Sequence, residues 1–237
     1  MLISGHVLPN DKAGIWTLSV VGGAIRKLVD EAWSARASPD GSKIAFLRGR
    51  DIWLVGSNGE DAQKLLTLEK GIRVAGDYVE WAPDGRGITY LQWQRGSDEL
   101  VLVRRDLSTG ATVTVLSDPR LTNLRWTSDG RLLCQLREQP PNEANTNLWE
   151  IRTDPRTGGA TGKLRRMTNW AGYGLFDFTA SADGKRLALV DLRGKSDIYV
   201  GELAASGTQL RNVRKLTTDD RLDWPGAWTA DSNAILF

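Results

Sequence analysis

The chain has 237 residues, of which 41% are hydrophobic and 25% charged, a balance typical of a folded globular protein that excludes a disordered chain. Lysine and arginine number 31 against 29 aspartate and glutamate, and the basic residues are scattered, which excludes the basic patch of a nucleic-acid-binding protein. The single cysteine, Cys134, excludes an intramolecular disulfide and cannot by itself make a zinc site. Its place in the apolar run LLCQL predicts a buried structural thiol.

The first residues, MLISGHVLPND, lack the charged and long apolar regions of a signal peptide. Either the protein is cytoplasmic or its N-terminus has been trimmed. No run approaches the ~18 consecutive apolar residues of a membrane helix, so we expect no membrane insertion by this segment. MLISGHV, GIWTLSV and AIRKLVD are predicted to be the second, third and fourth strands of a partial first repeat.

An Asp-Gly turn then recurs at Asp40, Asp84, Asp129 and Asp183, with Asp231-Ser232 as a fifth version. The spacing of 44 to 54 residues is typical of propeller blades or helical repeats. Each turn follows a short stretch ending near Trp or Ala, and three apolar runs come after it, as in KIAFL, DIWLV and AQKLLTL. These runs are too short for helices and are bounded by turn residues.

The sequence therefore predicts an all-β fold, a β-propeller of four-stranded antiparallel blades that forms a single domain over residues 1–237. Five repeats are visible, and their predicted limits are about 1–31 (partial), 32–70, 76–118, 121–170, 174–220 and 223–237 (partial). The ring is either closed by pairing of the two chain ends or truncated from one of six or more blades. Open blade edges would favour a homodimer.

The repeat resembles the TolB-type propeller repeat of bacteria, with the order [WA]-x-x-D-G, an IAF-like strand, D-I-[WY]-x-[VL] and a closing [RK]-K-L-T. Residues 38–55, 181–200 and 213–217 carry this resemblance, while ELVLV at 99–103 and Ser232 depart from it. The resemblance implies a bacterial sensor or interaction module within a larger protein, in an extracytoplasmic (periplasmic) location.

Tryptophans recur at two repeat positions, which predicts that they fill the space between stacked blades. The first position holds Trp81, Trp126 and Trp228, and the second holds Trp16, Trp53 and Trp149, with Tyr199 as a fourth aromatic residue.

Residues outside this pattern are better candidates for function, because the segments leading into the first strands crowd around one mouth of a propeller channel. Those segments are 30–36, 76–80, 122–125, 173–177 and 221–226. The candidate ligand-binding residues at this mouth are Trp33, Arg36, Tyr78, Glu80, Arg125, Tyr173, Asp177, Asp223 and Trp224. One interpretation is a ring that grips a peptide, a protein segment or a small polar ligand. The other is that the charged residues form salt bridges between blades, since an unpaired charge there is costly.

The loop 137–147, REQPPNEANTN, is a further candidate for partner binding, or else a tolerated insertion. No catalytic residue is predicted, because His6 is the only histidine in the sequence and no G-x-S-x-G motif occurs. We also expect no cofactor and no metal, since the acidic stretches 95–99 and 217–223 are weak Ca²⁺ candidates.

The sequence thus predicts a non-catalytic recognition module. The alternative is the gating propeller of a prolyl-oligopeptidase-like peptidase whose catalytic domain is absent, and a purely structural scaffold is a third role.

Overall fold

The computed structural model describes residues 2–5, 12–19, 22–171, 174–192, 196–204, 209–218 and 226–236. Every regular element within these ranges is a β-strand, and none of them contains a helix able to cross a membrane. The chain divides into two compact units, Met1–Pro119 and Arg120–Phe237. The prediction that the whole chain is one domain stays a prediction.

The first unit contains three antiparallel sheets in which strands adjacent in the chain are paired. A three-stranded sheet has the order β1-β2-β3, and two four-stranded sheets have the orders β4-β5-β6-β7 and β8-β9-β10-β11. The strands are β1 (Leu2–Gly5), β2 (Gly14–Leu18), β3 (Ile25–Asp30), β4 (Trp33–Ala37), β5 (Lys43–Arg48), β6 (Asp51–Gly56), β7 (Gln63–Thr67), β8 (Ile72–Trp81), β9 (Gly87–Gln94), β10 (Leu100–Asp106) and β11 (Thr112–Ser117).

The second unit contains two four-stranded sheets, β12-β13-β14-β15 and β16-β17-β18-β19, and the hairpin β20-β21. Its strands are β12 (Leu121–Trp126), β13 (Arg131–Arg137), β14 (Thr146–Arg152), β15 (Arg165–Arg166), β16 (Leu175–Ala180), β17 (Arg186–Leu192), β18 (Ser196–Leu203), β19 (Leu210–Lys215), β20 (Ala227–Trp228) and β21 (Ile235–Leu236). These up-and-down sheets confirm the predicted fold class, an all-β propeller built from four-stranded antiparallel blades.

The recurrent turn is held by its aspartate. The hydroxyl of Ser38 donates to Asp40 Oδ1 at 2.6 Å and the backbone N–H of Ser42 donates to the same oxygen at 3.1 Å. Gly41 supplies the positive φ of 72°, which costs glycine little. The same hydroxyl–carboxylate pair recurs in Thr127–Asp129, Ser181–Asp183 and Thr229–Asp231. A Ser/Thr-x-Asp turn therefore connects the first two strands of most repeats.

The second strands are buried on both faces because each sheet packs against a neighbour. In β5, Ala45 and Leu47 pack toward Val79 and Ile88 of the next sheet, while Phe46 packs toward the preceding one. In the second unit, cores of the same kind join Leu133 to Phe178 and Leu187, and Val190 to Trp228 and Ile235. Continuous apolar runs such as KIAFL follow from this two-sided burial. Cys134 lies in such a run and is buried, as predicted.

Candidate functional site

The structure describes the side chains of five of the nine predicted site residues, which are Trp33, Arg36, Glu80, Arg125 and Asp177. Tyr173, Asp223 and Trp224 lie outside the described residues, and so does the side chain of Tyr78.

The five described residues lie on the first strands of the sheets, within β4, β8, β12 and β16. The sequence predicts only that their segments lead into these strands. Each of these four strands contains a β-bulge. The register shifts between Trp33 and Arg36, between Val74 and Val79, between Leu121 and Asn123, and between Leu175 and Asp177. A bulge inserts extra backbone and re-aims the side chains beside it, and bulges are common next to functional sites.

In the first unit, the bulged strands are joined by one ion pair. Arg36 Nε donates to Glu80 Oε1 at 2.8 Å, with the two side chains 34% and 12% exposed. The backbone carbonyl of Arg36 also accepts a 2.9 Å hydrogen bond from Trp81 Nε1. Trp33 is half-buried and packs against the apolar core of the same sheet pair. The structure thus brings together three predicted site residues at the junction of β4 and β8.

In the second unit, the corresponding strands carry a larger polar network. Arg125 Nη2 donates to Asp177 Oδ1 at 2.9 Å, and the side chains are 9% and 22% exposed. Asn123 Nδ2 donates to the same carboxylate oxygen at 2.6 Å, and Asn123 Oδ1 accepts from Arg125 Nη1 at 2.8 Å. The Arg125 guanidinium lies 5.8 Å from the ring centre of Phe178. Arg125 is therefore oriented by a carboxylate, an amide and an aromatic ring.

Two further polar residues, missed by the sequence interpretation, extend this network. Gln135 Nε2 and Thr146 Oγ1 both donate to the backbone carbonyl of Leu175 in the bulge of β16. Both residues are buried. We refer to Asn123, Arg125, Gln135, Thr146 and Asp177 as the Asp177 cluster. The one sequence signal for Gln135 is its polarity within the apolar run LLCQL.

The loop 137–147 lies beside the cluster, since its residue Thr146 is a member of it. Its start is fixed by Glu138, which accepts from Arg166 Nη2 and from Asn147 Nδ2, each at 2.8 Å. Asn147 is fully buried, and its Oδ1 accepts from Thr168 Oγ1 at 2.7 Å. These contacts position the loop; its role in binding a partner stays a prediction.

Two of the first-strand tryptophans, Trp81 and Trp228, pack against cores shared by two sheets. Trp228 Nε1 likewise donates to Thr179 O at 3.4 Å. The third-strand tryptophans are partly buried. Trp53 packs against the core shared by the first two sheets, as predicted, and each of the three rings is also contacted by a cation. Each tryptophan is the register partner of a basic residue on the adjacent fourth strand, in the pairs Trp16–Lys27, Trp53–Lys64 and Trp149–Arg166. The cations lie 4.7, 5.6 and 5.4 Å from the ring centres, within cation–π range.

The turn carboxylate of Asp40 accepts hydrogen bonds from serine residues, whereas Asp177 accepts them from Asn123 and Arg125. The Ser38 hydroxyl, followed by the backbone and hydroxyl of Ser42, lowers the pKa of Asp40 to about 2.

Beside this turn, a cavity of about 510 Å³ opens between the turns of β4–β5 and β8–β9, lined among others by Asp40, Trp81 and Asp84. The cavity was not predicted. It is lined by turn residues and not by the predicted site residues.

The Asp177 cluster can bind through hydrogen bonds and ionic contacts. Within the described ranges, no three His, Cys, Asp or Glu side chains are grouped as metal ligands would be.

Comparison with known proteins supports the fold. No family model matches the chain. The curated protein Dipeptidyl-peptidase 5 of Porphyromonas gingivalis is 27% identical over 157 residues, which cover 59% of this chain and 20% of that protein. TolB from Acinetobacter baumannii aligns with a TM-score of 0.58 and 16% identity over 99% of this chain and 61% of its own. Oligogalacturonate lyase from Vibrio parahaemolyticus aligns with a TM-score of 0.66 and 13% identity over 98% and 65%.

At these identities the solved structures show the fold alone. They confirm that the chain is a β-propeller whose structural neighbours include TolB, as the repeat predicts. The chain spans about a fifth of the curated relative it matches. Because those neighbours include a lyase as well as TolB, the fold is shared by proteins of different functions.

Proposed function

We propose that this chain is the non-catalytic recognition part of a larger bacterial protein and that it binds a peptide segment at the Asp177 cluster. The observation that carries this proposal is the network of Arg125, Asn123 and Asp177 on two bulged strands, with Asp177 still partly exposed. A fixed guanidinium, amide and carboxylate provide both donors and acceptors, which is the polar complement that a peptide requires.

The Arg36–Glu80 pair of the first unit is proposed as a separate and weaker contact for a peptide. Arg36 is more exposed than Arg125, so a ligand reaches it easily. Because water screens the charge of an exposed guanidinium, a contact with Arg36 contributes less to the binding free energy. The extracytoplasmic location implied by the TolB resemblance is part of the same proposal, because peptide recognition by a sensor module would take place there.

The test uses a peptide selected on the wild-type chain from a random library of blocked octapeptides. We expect Arg125→Ala to weaken its affinity at least tenfold, since truncating one partner of a buried, hydrogen-bonded charge pair removes much of the binding free energy. Arg156→Ala is the matched control, because Arg156 is exposed on a hairpin of the same unit. Equal affinities for wild type and Arg125→Ala would contradict the proposal.

A second candidate function is the propeller of a peptidase, for which the similarity to Dipeptidyl-peptidase 5 is the support. In that case the chain would sit beside a catalytic domain and control access of peptides to it. The two candidates are separated by assaying the longest natural protein that contains this chain with dipeptidyl p-nitroanilides. Hydrolysis that a serine-directed inhibitor abolishes supports the peptidase, and peptide binding without hydrolysis supports the recognition module.

A further inference from the structure

The cavity between the turns of β4–β5 and β8–β9 combines apolar surface with charged side chains. Its volume of about 510 Å³ is within the range of sites that hold a small ligand. Trp81 and Leu107 line it with apolar groups, and Asp40, Asp84 and Lys43 line it with charges. Trp81 is only 6% exposed, and this cavity gives a ligand access to its indole.

The second unit contains the same arrangement of tryptophan and turn. Trp81 and Trp228 occupy the same repeat position, and each donates its indole N–H to a backbone carbonyl of the preceding first strand. The acceptors are Arg36 O at 2.9 Å and Thr179 O at 3.4 Å, and both residues lie four positions before a turn aspartate. The two indoles are therefore held alike, and the surroundings of their rings can be compared.

In the described part of the chain, a guanidinium lies over the indole in the second unit but not in the first. Arg186 is the third residue after its turn aspartate, and its Cζ lies 5.0 Å from the ring centre of Trp228, within cation–π range. Lys43 holds the same position in the first unit. Its ammonium makes no ion pair or cation–π contact within the described ranges, and the space beside Trp81 is open as the cavity.

The carboxylates at the cavity favour a cation. Asp40 accepts hydrogen bonds from the hydroxyl of Ser38 and from the N–H and hydroxyl of Ser42, all of which are neutral donors. Among the described residues no cation pairs with it. Asp84 is already paired with Arg104, whose Nη2 lies 3.1 Å from Asp84 Oδ2, so Asp40 provides the uncompensated carboxylate.

Lys43 adds a positive charge but does not close the cavity to another cation. It is exposed and also lines a neighbouring cavity of about 280 Å³ together with Glu60 and Asp61. Because its ammonium is carried on a flexible four-carbon stem, it can turn toward those carboxylates when a second cation binds.

We propose that this cavity binds the side chain of an arginine in a peptide segment of a partner protein, with the guanidinium on Trp81 and hydrogen-bonded to Asp40. Both residues line the one cavity, and a guanidinium of the chain itself lies over the equivalent indole in the second unit. A guanidinium stacks on an aromatic ring and bonds a carboxylate through two parallel N–H groups, which an ammonium does not do. The aliphatic stem of the arginine packs against Leu107. The site shares no residue with the Asp177 cluster and goes beyond the proposed function.

The probes are acetyl-arginine N-methylamide and two analogues in which citrulline or lysine replaces arginine. Citrulline has nearly the same shape without the charge, and lysine has the charge without the planar group. Affinities for the wild-type chain are measured by titration of ¹H–¹⁵N spectra. We expect the arginine probe to bind at least tenfold more tightly than the citrulline probe and at least threefold more tightly than the lysine probe. The largest shifts should include the indole N–H of Trp81.

The variant Lys43→Arg introduces the residue that the second unit has at this position. We expect the new guanidinium to cover Trp81 and to lower the affinity for the arginine probe at least tenfold, while the midpoint of urea unfolding stays equal or rises. Lys43→Gln is the matched control, because it removes the charge of Lys43 without supplying a guanidinium. It should bind the probe at least as tightly as the wild-type chain.

Asp40→Asn keeps an oxygen acceptor in the turn and removes the charge, so we expect the affinity for the arginine probe to fall at least threefold. Asp183→Asn makes the same change at the equivalent turn of the second unit, where Arg186 already contacts the indole. This second variant should leave the affinity unchanged.

Equal affinities of the wild-type chain for the arginine and citrulline probes, or an unchanged affinity in Lys43→Arg, would overturn the inference. Tighter binding of free arginine than of the acetylated probe would also overturn it, since the ligand would then be the amino acid and not a peptide. The proposed function of the Asp177 cluster is tested separately, with the library-selected peptide.

Discussion

The Arg36–Glu80 pair of the first unit and the Asp177 cluster of the second unit each contain an arginine at the same repeat position, but the surroundings of the two arginines differ. Arg36 and Arg125 both lie four residues before a turn aspartate, and each bonds an acidic residue on the next first strand. In the first unit the pair joins two sheets, and the register partners of Arg36 and Glu80 are Ala45 and Thr89. In the second unit Asn123 and Gln135 surround the arginine. The two arginines therefore share one repeat position, whereas their acidic partners do not, since Glu80 lies four residues before its turn aspartate and Asp177 lies six residues before Asp183. Departures from the repeat produce the candidate site.

The largest expected effect is a loss of stability when Asp177, the acidic partner of Arg125, is removed. Asp177→Ala leaves Arg125 buried without its carboxylate and removes an acceptor from Asn123, so we expect a loss of about 3 kcal/mol in the free energy of unfolding. Urea unfolding followed by tryptophan fluorescence measures it. Glu31→Ala, which removes an exposed ion pair with Lys12, is the control and should leave the unfolding midpoint unchanged.

Glu80→Ala is expected to have a smaller effect, a loss of about 1 kcal/mol. Arg36 is a third exposed, so water solvates its guanidinium once the carboxylate is removed. The same urea measurement applies. A loss of stability as large as that caused by Asp177→Ala would contradict the expectation that the more exposed ion pair contributes less to the free energy of unfolding.

The smallest effect concerns the turns, which are alike in the two units. Hydrogen bonds from Ser38 and Ser181 lower the pKa of Asp40 and Asp183. A lowered pKa in the folded state stabilises the protein above the unfolded pKa near 4, and this contribution is lost as the pH falls toward the folded pKa, about 2 for Asp40. Ser38→Ala and Ser181→Ala should each raise the pKa of the adjacent aspartate, which ¹³C carboxyl titration measures. An effect in one unit only would contradict this similarity.

The fold was predictable from the sequence because its signals are local. Turns such as Ser38-Pro39-Asp40-Gly41 and apolar runs such as KIAFL define strands without knowledge of their neighbours. The segments leading into the first strands were harder to interpret, because their bulges add residues without breaking the strand. Residues 76–80 and 122–125 consequently lie within β8 and β12.

The site was predictable only in part. Arg36, Glu80 and Arg125 stand out as charges on predicted inner strands, and Asp177 stands out as a charge in a segment leading into such a strand. The structure pairs them as the salt-bridge interpretation expects. Gln135 was missed because its importance depends on the register of β12 and β13 and on the contact of β13 with β16. The cations over Trp16, Trp53 and Trp149 were missed for the same reason, since they lie across a strand pair whose register short turns do not reveal.

The central claim is that a peptide binds at the Asp177 cluster. A ¹H–¹⁵N chemical-shift map of the wild-type chain with the library-selected peptide tests it most directly. We predict that the largest shifts fall on Asn123, Gln135, Leu175, Asp177 and Phe178, including the side-chain amide of Gln135. Shifts confined to the cavity between the β4–β5 and β8–β9 turns, or to the outer strands β7, β11 and β19, would contradict it.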